Sequence, residues 1–140
     1  MPDDLVHVRL ESDDFSCDDV QIYEIAGNER LGRLFEIAIG VVTTAPEGLD
    51  LSAVEGATAT LVFQVDQQDV RRLHGMIAAI DDYLDTQPDT RSYRLRLVPR
   101  AHRLTLVRTQ EIFMDLSTPD IIKKKLELVG LGTDDVEFRL

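Results

Sequence analysis

A strict period of two between Leu34 and Val41 constrains this chain more than any other feature. Leu34, Glu36, Ala38 and Gly40 alternate with Phe35, Ile37, Ile39 and Val41, and the second set is wholly apolar. Only an extended strand sends successive side chains to opposite faces, so this stretch predicts a strand with Phe35, Ile37, Ile39 and Val41 on a core. Gly27, Asn28 and Glu29 ahead of it supply turn chemistry. Val20–Ala26 reads as the preceding strand, with Val20, Ile22, Glu24 and Ala26 on one face, which makes a hairpin.

The same alternation recurs along the chain. Leu5–Leu10 sets Val6, Val8 and Leu10 against Leu5, His7 and Arg9; Ala57–Val65 and Ser92–Val98 follow suit, the latter with Tyr93, Leu95 and Leu97 opposite Arg94 and Arg96. Asp66–Asp69 is a polar hairpin loop, and Val70–Leu84 a strand around Gly75, whose missing side chain suits a bulge or a close approach. Asp85–Asp89 is a turn, and His102–Val107 is a further strand after Pro99. Thr43–Gly48 is a loop, after which Asp50 can cap a short helical turn closed by Gly56, with Leu51 and Val54 on one face. Ser117 or Thr118 can cap a helix with Pro119 in its first turn and Asp120 favouring its dipole; Ile121, Ile122, Leu126, Leu128 and Val129 supply its apolar stripe, Lys123–Lys125 its solvated face, and Gly130 its end. Val136–Leu140 reads as a short final strand. With strands first and one clear helix last, the chain lacks the βαβ rhythm of a parallel sheet. The expected fold is mainly β: an antiparallel barrel-like domain over 1–110, with 111–140 a helix and short strand that cap the barrel or start the next lobe.

The formal net charge of -11 opposes a nucleic-acid or anionic-membrane partner, because both demand a positive footprint. No stretch is long and apolar enough to span a bilayer, and the start, MPDDLVHVRL, lacks the basic and apolar regions of a signal peptide. Cys17 is the single cysteine, which rules out an internal disulfide, and reads as a small, partly buried residue. The acidic pairs Asp13-Asp14 and Asp18-Asp19 lack the alternating ligands, central glycine and closing glutamate of a calcium loop. His7 reads as a solvated strand residue and His74 as a packing residue. No phosphate-binding loop, nucleophile elbow or zinc motif occurs, so no catalytic, metal or cofactor residue is assigned and no enzymatic activity is expected.

Five ordered blocks nevertheless carry a resemblance. Gly27, Glu29, Arg30, Leu31, Leu34, Phe35 and Ile37 form a G-x-E-R-L-x-x-L-F-x-I run. Asp50-Leu51 through Val54 and Gly56 follow, then Arg72-Leu73-His74-Gly75-Met76-Ile77, Tyr93–Pro99, and Ile112-Phe113 with Ser117–Ile122. Together they resemble the amino-terminal region of the VgrG family, the spike proteins of type VI secretion, related to phage tail hubs. Arg100, Ala101 and Met114 depart from that pattern. The resemblance implies a structural part of a contractile injection spike, a homotrimer in the family, whose hub docks on the tube of haemolysin-coregulated protein and meets baseplate proteins. It implies assembly in the cytoplasm and export by the machine, and a chain that is a piece of a longer spike or a short stand-alone relative. A phage or prophage tail hub is the close variant. A small ligand-binding β-barrel is the competing class, and its mark would be a pocket pairing His74 with a carboxylate.

Overall fold

In the computed structural model, residues 5–83 and 89–139 are described. The chain divides into two compact units, Met1–Pro99 and Arg100–Leu140, where the sequence places its boundary between 110 and 111.

The first unit is one six-stranded sheet. Its strands are β1 (Val6–Glu11), β2 (Val20–Asn28), β3 (Glu36–Thr43), β4 (Thr58–Val65), β5 (Gln68–Tyr83) and β6 (Arg91–Val98). They lie in the order β1-β4-β5-β6-β3-β2, and every neighbouring pair is antiparallel. The alternating apolar sets meet in register: Leu10 opposes Leu61, Ile39 opposes Leu95, and Leu97 lies between Ile37 and Ile77. All of these are buried, and Ile39, Leu61, Leu95 and Leu97 are fully so. Half-buried side chains from both outer strands, Val8 of β1 and Val20, Ile22 and Ile25 of β2, pack on that same cluster. A flat sheet would hold its outer strands apart; sharing one core requires the sheet to curl, and it does so as a half-barrel.

Local chemistry explains the elements and departs from the sequence reading in several places. Gly27 and Asn28 do not turn. They extend β2 and pair with Ile37 and Glu36, and a Cβ on Gly27 would strike the Glu36 carbonyl oxygen. The reversal comes later, where Arg33 N–H donates to the Arg30 carbonyl and Gly32 adopts φ +77°. A bulge at Tyr23 shifts the β2–β3 register between Ile22 and Glu24, so Val20 and Ile22 share the core side with Ile25, while Glu24 and Ala26 are exposed. Asp66 and Gln67, both at positive φ (50° and 68°), make the β4–β5 turn; Gln68 and Asp69 already belong to β5. Gly75 holds no bulge: a Cβ there would land on the Val98 carbonyl oxygen, so close approach is its reason. Leu84, most of the 85–89 turn and Leu140 lie outside the described residues.

Asp50 caps α1 (Leu51–Val54) by accepting from the amides of Ser52 and Ala53. Val54 is fully buried, but Leu51 stays 42% exposed, so the two do not share a burial face. Tyr93, 1% exposed on β6, accepts the Leu49 N–H on its hydroxyl at 3.1 Å and so ties the 44–57 connection to the core.

The second unit is helical. Arg100–Leu106 forms a 3-10 turn, not the expected strand: Thr105 Oγ1 donates to the His102 carbonyl at 2.7 Å, a local bond that competes with any ladder. α2 (Thr118–Glu127) is capped by Ser117, whose Oγ accepts from the Asp120 N–H. It ends in a Schellman motif, with Leu131 N–H donating to the Leu126 carbonyl at 3.0 Å around Gly130 at φ +79°. Residues 136–139 form no strand. No residue within α2 is buried; Val129 and Leu131 just beyond it are.

Candidate functional site

The chemistry of the first unit lies on the faces, ends and edges of its sheet. Antiparallel pairing puts the 12–19 and 44–57 connections at one end of the sheet and the 29–35 and 66–67 connections at the other. The first two connections carry Asp13, Asp14, Asp18, Asp19, Glu47, Asp50 and Glu55 and no Lys or Arg of their own, although the Arg91 side chain at the start of β6 lies against Gly48; the second two mix Glu29, Arg30, Arg33 and Asp66. Residues 1–99 hold 8 Lys and Arg against 19 Asp and Glu, and residues 100–140 hold 7 against 7. The entire net charge therefore belongs to the sheet unit, and it is concentrated at one end.

Several of these carboxylates are fixed by hydrogen bonds. Asp14 accepts from the Thr58 amide at 2.7 Å and the Thr58 hydroxyl at 2.8 Å, which together hold its carboxyl below the usual range and tie the 12–19 loop to the start of β4. Asp50 is lowered likewise, chiefly by the Ser52 hydroxyl. On the outer face of the sheet, Arg72 pairs with both Glu11 and Asp69, and Arg9 Nη2 meets Glu11 at 2.7 Å. Asp69 is lowered, first by Gln64 and then by Arg72. This network covers Val62, which is fully buried although its neighbours across the strands are Arg9 and Arg72.

The singled-out residues do not converge. His7 is exposed on β1. His74 is exposed rather than packed; it shares an open cleft of about 460 Å³ with Glu11 and Asp13, but its ring Nδ1 lies 2.8 Å from Thr60 Oγ1, and Glu11 is taken up by Arg72. His102 belongs to the second unit. Cys17 is half-buried, and burial, with Asp18 adding to it, pushes its thiol up to about 11, so it is protonated and a poor nucleophile at neutral pH. Among the described residues no three His, Cys, Asp or Glu side chains are arranged to hold a metal. Lys123–Lys125 is not uniformly solvated: Lys125 donates to Thr109 Oγ1 at 2.7 Å, meets Glu111 at 3.1 Å and lies 5.3 Å over the Phe113 ring. Sequence reasoning missed the Arg9–Glu11–Asp69–Arg72 network, because only strand pairing brings those residues together.

The family model for the phage tail baseplate hub (GPD) matches residues 28–140. The chain belongs to that family. Type VI secretion system spike protein VgrG4b of Pseudomonas aeruginosa is 31% identical over 139 residues, which is 99% of this chain and 16% of that protein. VgrG5 of the same organism is 32% identical over 122 residues, 87% of this chain and 15% of the relative. The chain thus spans about one-sixth of the length of these spike proteins. Among solved structures, the E. coli c3393 protein superposes with a TM-score of 0.68 at 23% identity, over 85% of this chain and 31% of that one. It is described as a component of the type VI secretion system with structural similarity to the T4 bacteriophage tail proteins gp27 and gp5. The phage tail hub fold is thereby shown for this chain, and no helix among the described residues is long and apolar enough to cross a membrane.

Proposed function

We propose that this chain is a structural hub segment of a type VI secretion spike, which self-associates and docks on the inner tube of haemolysin-coregulated protein. The observation that carries the reading is the hub-family match over 28–140 on a curled antiparallel sheet. The P. aeruginosa relatives are spike proteins by name, and the chain aligns with one of them over 99% of its own length. A docking module needs a firm scaffold and distinctive surfaces, not a reactive centre; we assign no catalytic step, and the unactivated thiol of Cys17 fits that role. Assembly with tube and baseplate proteins in the cytoplasm, followed by export through the machine, completes the reading.

Two measurements test it. Light scattering of the 140-residue chain over a range of concentrations should give a trimer or a closed ring; a monomer throughout would remove self-association by this segment. Co-sedimentation with preformed tube rings should retain the chain in the pellet, and its absence there would remove docking. Because the family model is that of a phage hub, a phage or prophage tail hub is the second reading. It predicts binding to a phage tube and none to the secretion tube.

A further inference from the structure

The helical unit carries apolar side chains that its own fold leaves uncovered. Between the 3-10 turn and α2, residues 107–117 form no helix or strand. Thr109, Glu111 and Phe113 all meet one side chain, Lys125, through a hydrogen bond, an ion pair and a ring contact. Contacts at every second residue mark an extended segment with one face held against α2. The opposite set includes Ile112 and Met114, 89% and 75% exposed. In the same unit an open cleft of about 480 Å³ is lined by Leu104, Val107, Leu128 and the buried Val129. Arg108 lines it too, and Asp115 follows Met114; neither has a hydrogen bond or ion pair among the described residues.

We propose that Ile112 and Met114 of one copy of this chain insert into the cleft of a second copy, with Asp115 meeting Arg108, so that copies join knob to cleft around a closed ring. The inference rests on the self-association proposed above and names the face that performs it. Charge selects a second copy as the occupant. Residues 1–99 hold 19 Asp and Glu against 8 Lys and Arg, so two copies repel through their sheet units. Residues 100–140 hold 7 of each sign, and the knob, the cleft and an unused pair of opposite charges all lie there. Burial of the apolar knob drives the contact, and the charge pair fixes its register. Knob and cleft are different patches, so the contact is heterologous, and its repetition gives a ring when the rotation closes.

Two variants of the intact chain test it. Ile112→Asp spoils the knob and Leu128→Asp the cleft; both positions are exposed, so the fold should tolerate them, with far-ultraviolet circular dichroism as the check. Each variant alone should stay monomeric by light scattering at concentrations where the wild type forms its ring. Fluorescein-labelled Ile112→Asp should nevertheless bind Leu128→Asp, because that pair keeps one intact cleft and one intact knob, and the complex should stop at two chains. A single contact lacks the avidity of a closed ring, so the titration runs to about 1 mM. Neither variant should bind itself. Arg108→Glu, an exposed change that keeps knob and cleft, should weaken wild-type assembly about tenfold. The inference alone is overturned, and self-association stands, if the wild type assembles and both variants assemble like it, if the wild type stops at two chains, or if the two variants do not bind each other. A wild type that stays monomeric at every concentration overturns both.

Discussion

The two units are built on different principles. The sheet unit closes over fully buried Ile39, Leu61, Ile77, Leu95 and Leu97 and carries the whole net charge. The helical unit is neutral, has no buried residue inside α2, and leaves Leu106, Ile112, Met114 and Leu128 between 58% and 89% exposed. Its order comes from a cap, a Schellman turn, ion pairs such as Arg100–Asp135 at 2.8 Å, and two buried side chains, Val129 and Leu131, just beyond α2. Apolar burial stabilises at about 25 cal/mol per Å², whereas exposed ion pairs give about 0–1 kcal/mol each. The strength of this chain therefore resides in its sheet.

That contrast can be broken by mutation. Leu95→Ala should cost about 2–5 kcal/mol in urea unfolding, through lost burial plus a cavity. Gly75→Val should cost about 1–3 kcal/mol, because the Val98 carbonyl occupies the space a side chain needs; a neutral outcome would remove the close approach. Ser117→Ala should remove about 1 kcal/mol, seen as lost helical circular dichroism with the sheet signal intact. Leu128→Ala, 58% exposed, should stay within about 0.5 kcal/mol. If Leu128→Ala rivals Leu95→Ala, the two units are equal partners and the comparison fails.

Acid sharpens it further. Asp14 and Asp69 in the sheet unit and Asp120 in the helical unit all have folded values below their ordinary 3.8. A depressed carboxyl contributes stability above its unfolded value and loses it as pH falls through the folded value. Both units should therefore weaken below about pH 4, and Ser117→Ala should blunt the loss only in the helical unit, because Ser117 is the first cause of the Asp120 shift.

Much of the sheet was legible in the sequence because alternation is a local code. β3 and β6 emerged with Ile37, Ile39, Val41, Tyr93, Leu95 and Leu97 on the core, and the Ser117 cap and Gly130 stop were equally plain. What escaped depends on partners distant in the chain. The Tyr23 bulge moves Ile25 to the core side, with the Tyr23 ring over Gly40, where a Cβ would come within 2.7 Å. Gly27 looked like a turn because glycine favours turns, yet its role is set by the Glu36 carbonyl across the strand. His102–Val107 illustrates the ambiguity of a short apolar run, which periodicity alone cannot assign. That β1 and β2 end the strand order was invisible, since a sequence pattern does not tell whether a barrel closes.

The pinned tyrosine makes the molecule its own optical instrument. The chain contains no tryptophan, and of its three tyrosines Tyr23 and Tyr83 are 55% and 43% exposed while Tyr93 is 1% exposed with its hydroxyl held by Leu49. Its share of the near-ultraviolet band, set against those of Tyr23 and Tyr83, reports on the place where the 44–57 connection is latched onto the sheet. A core that loosens at that latch would show as a change in the buried tyrosine's share of the band.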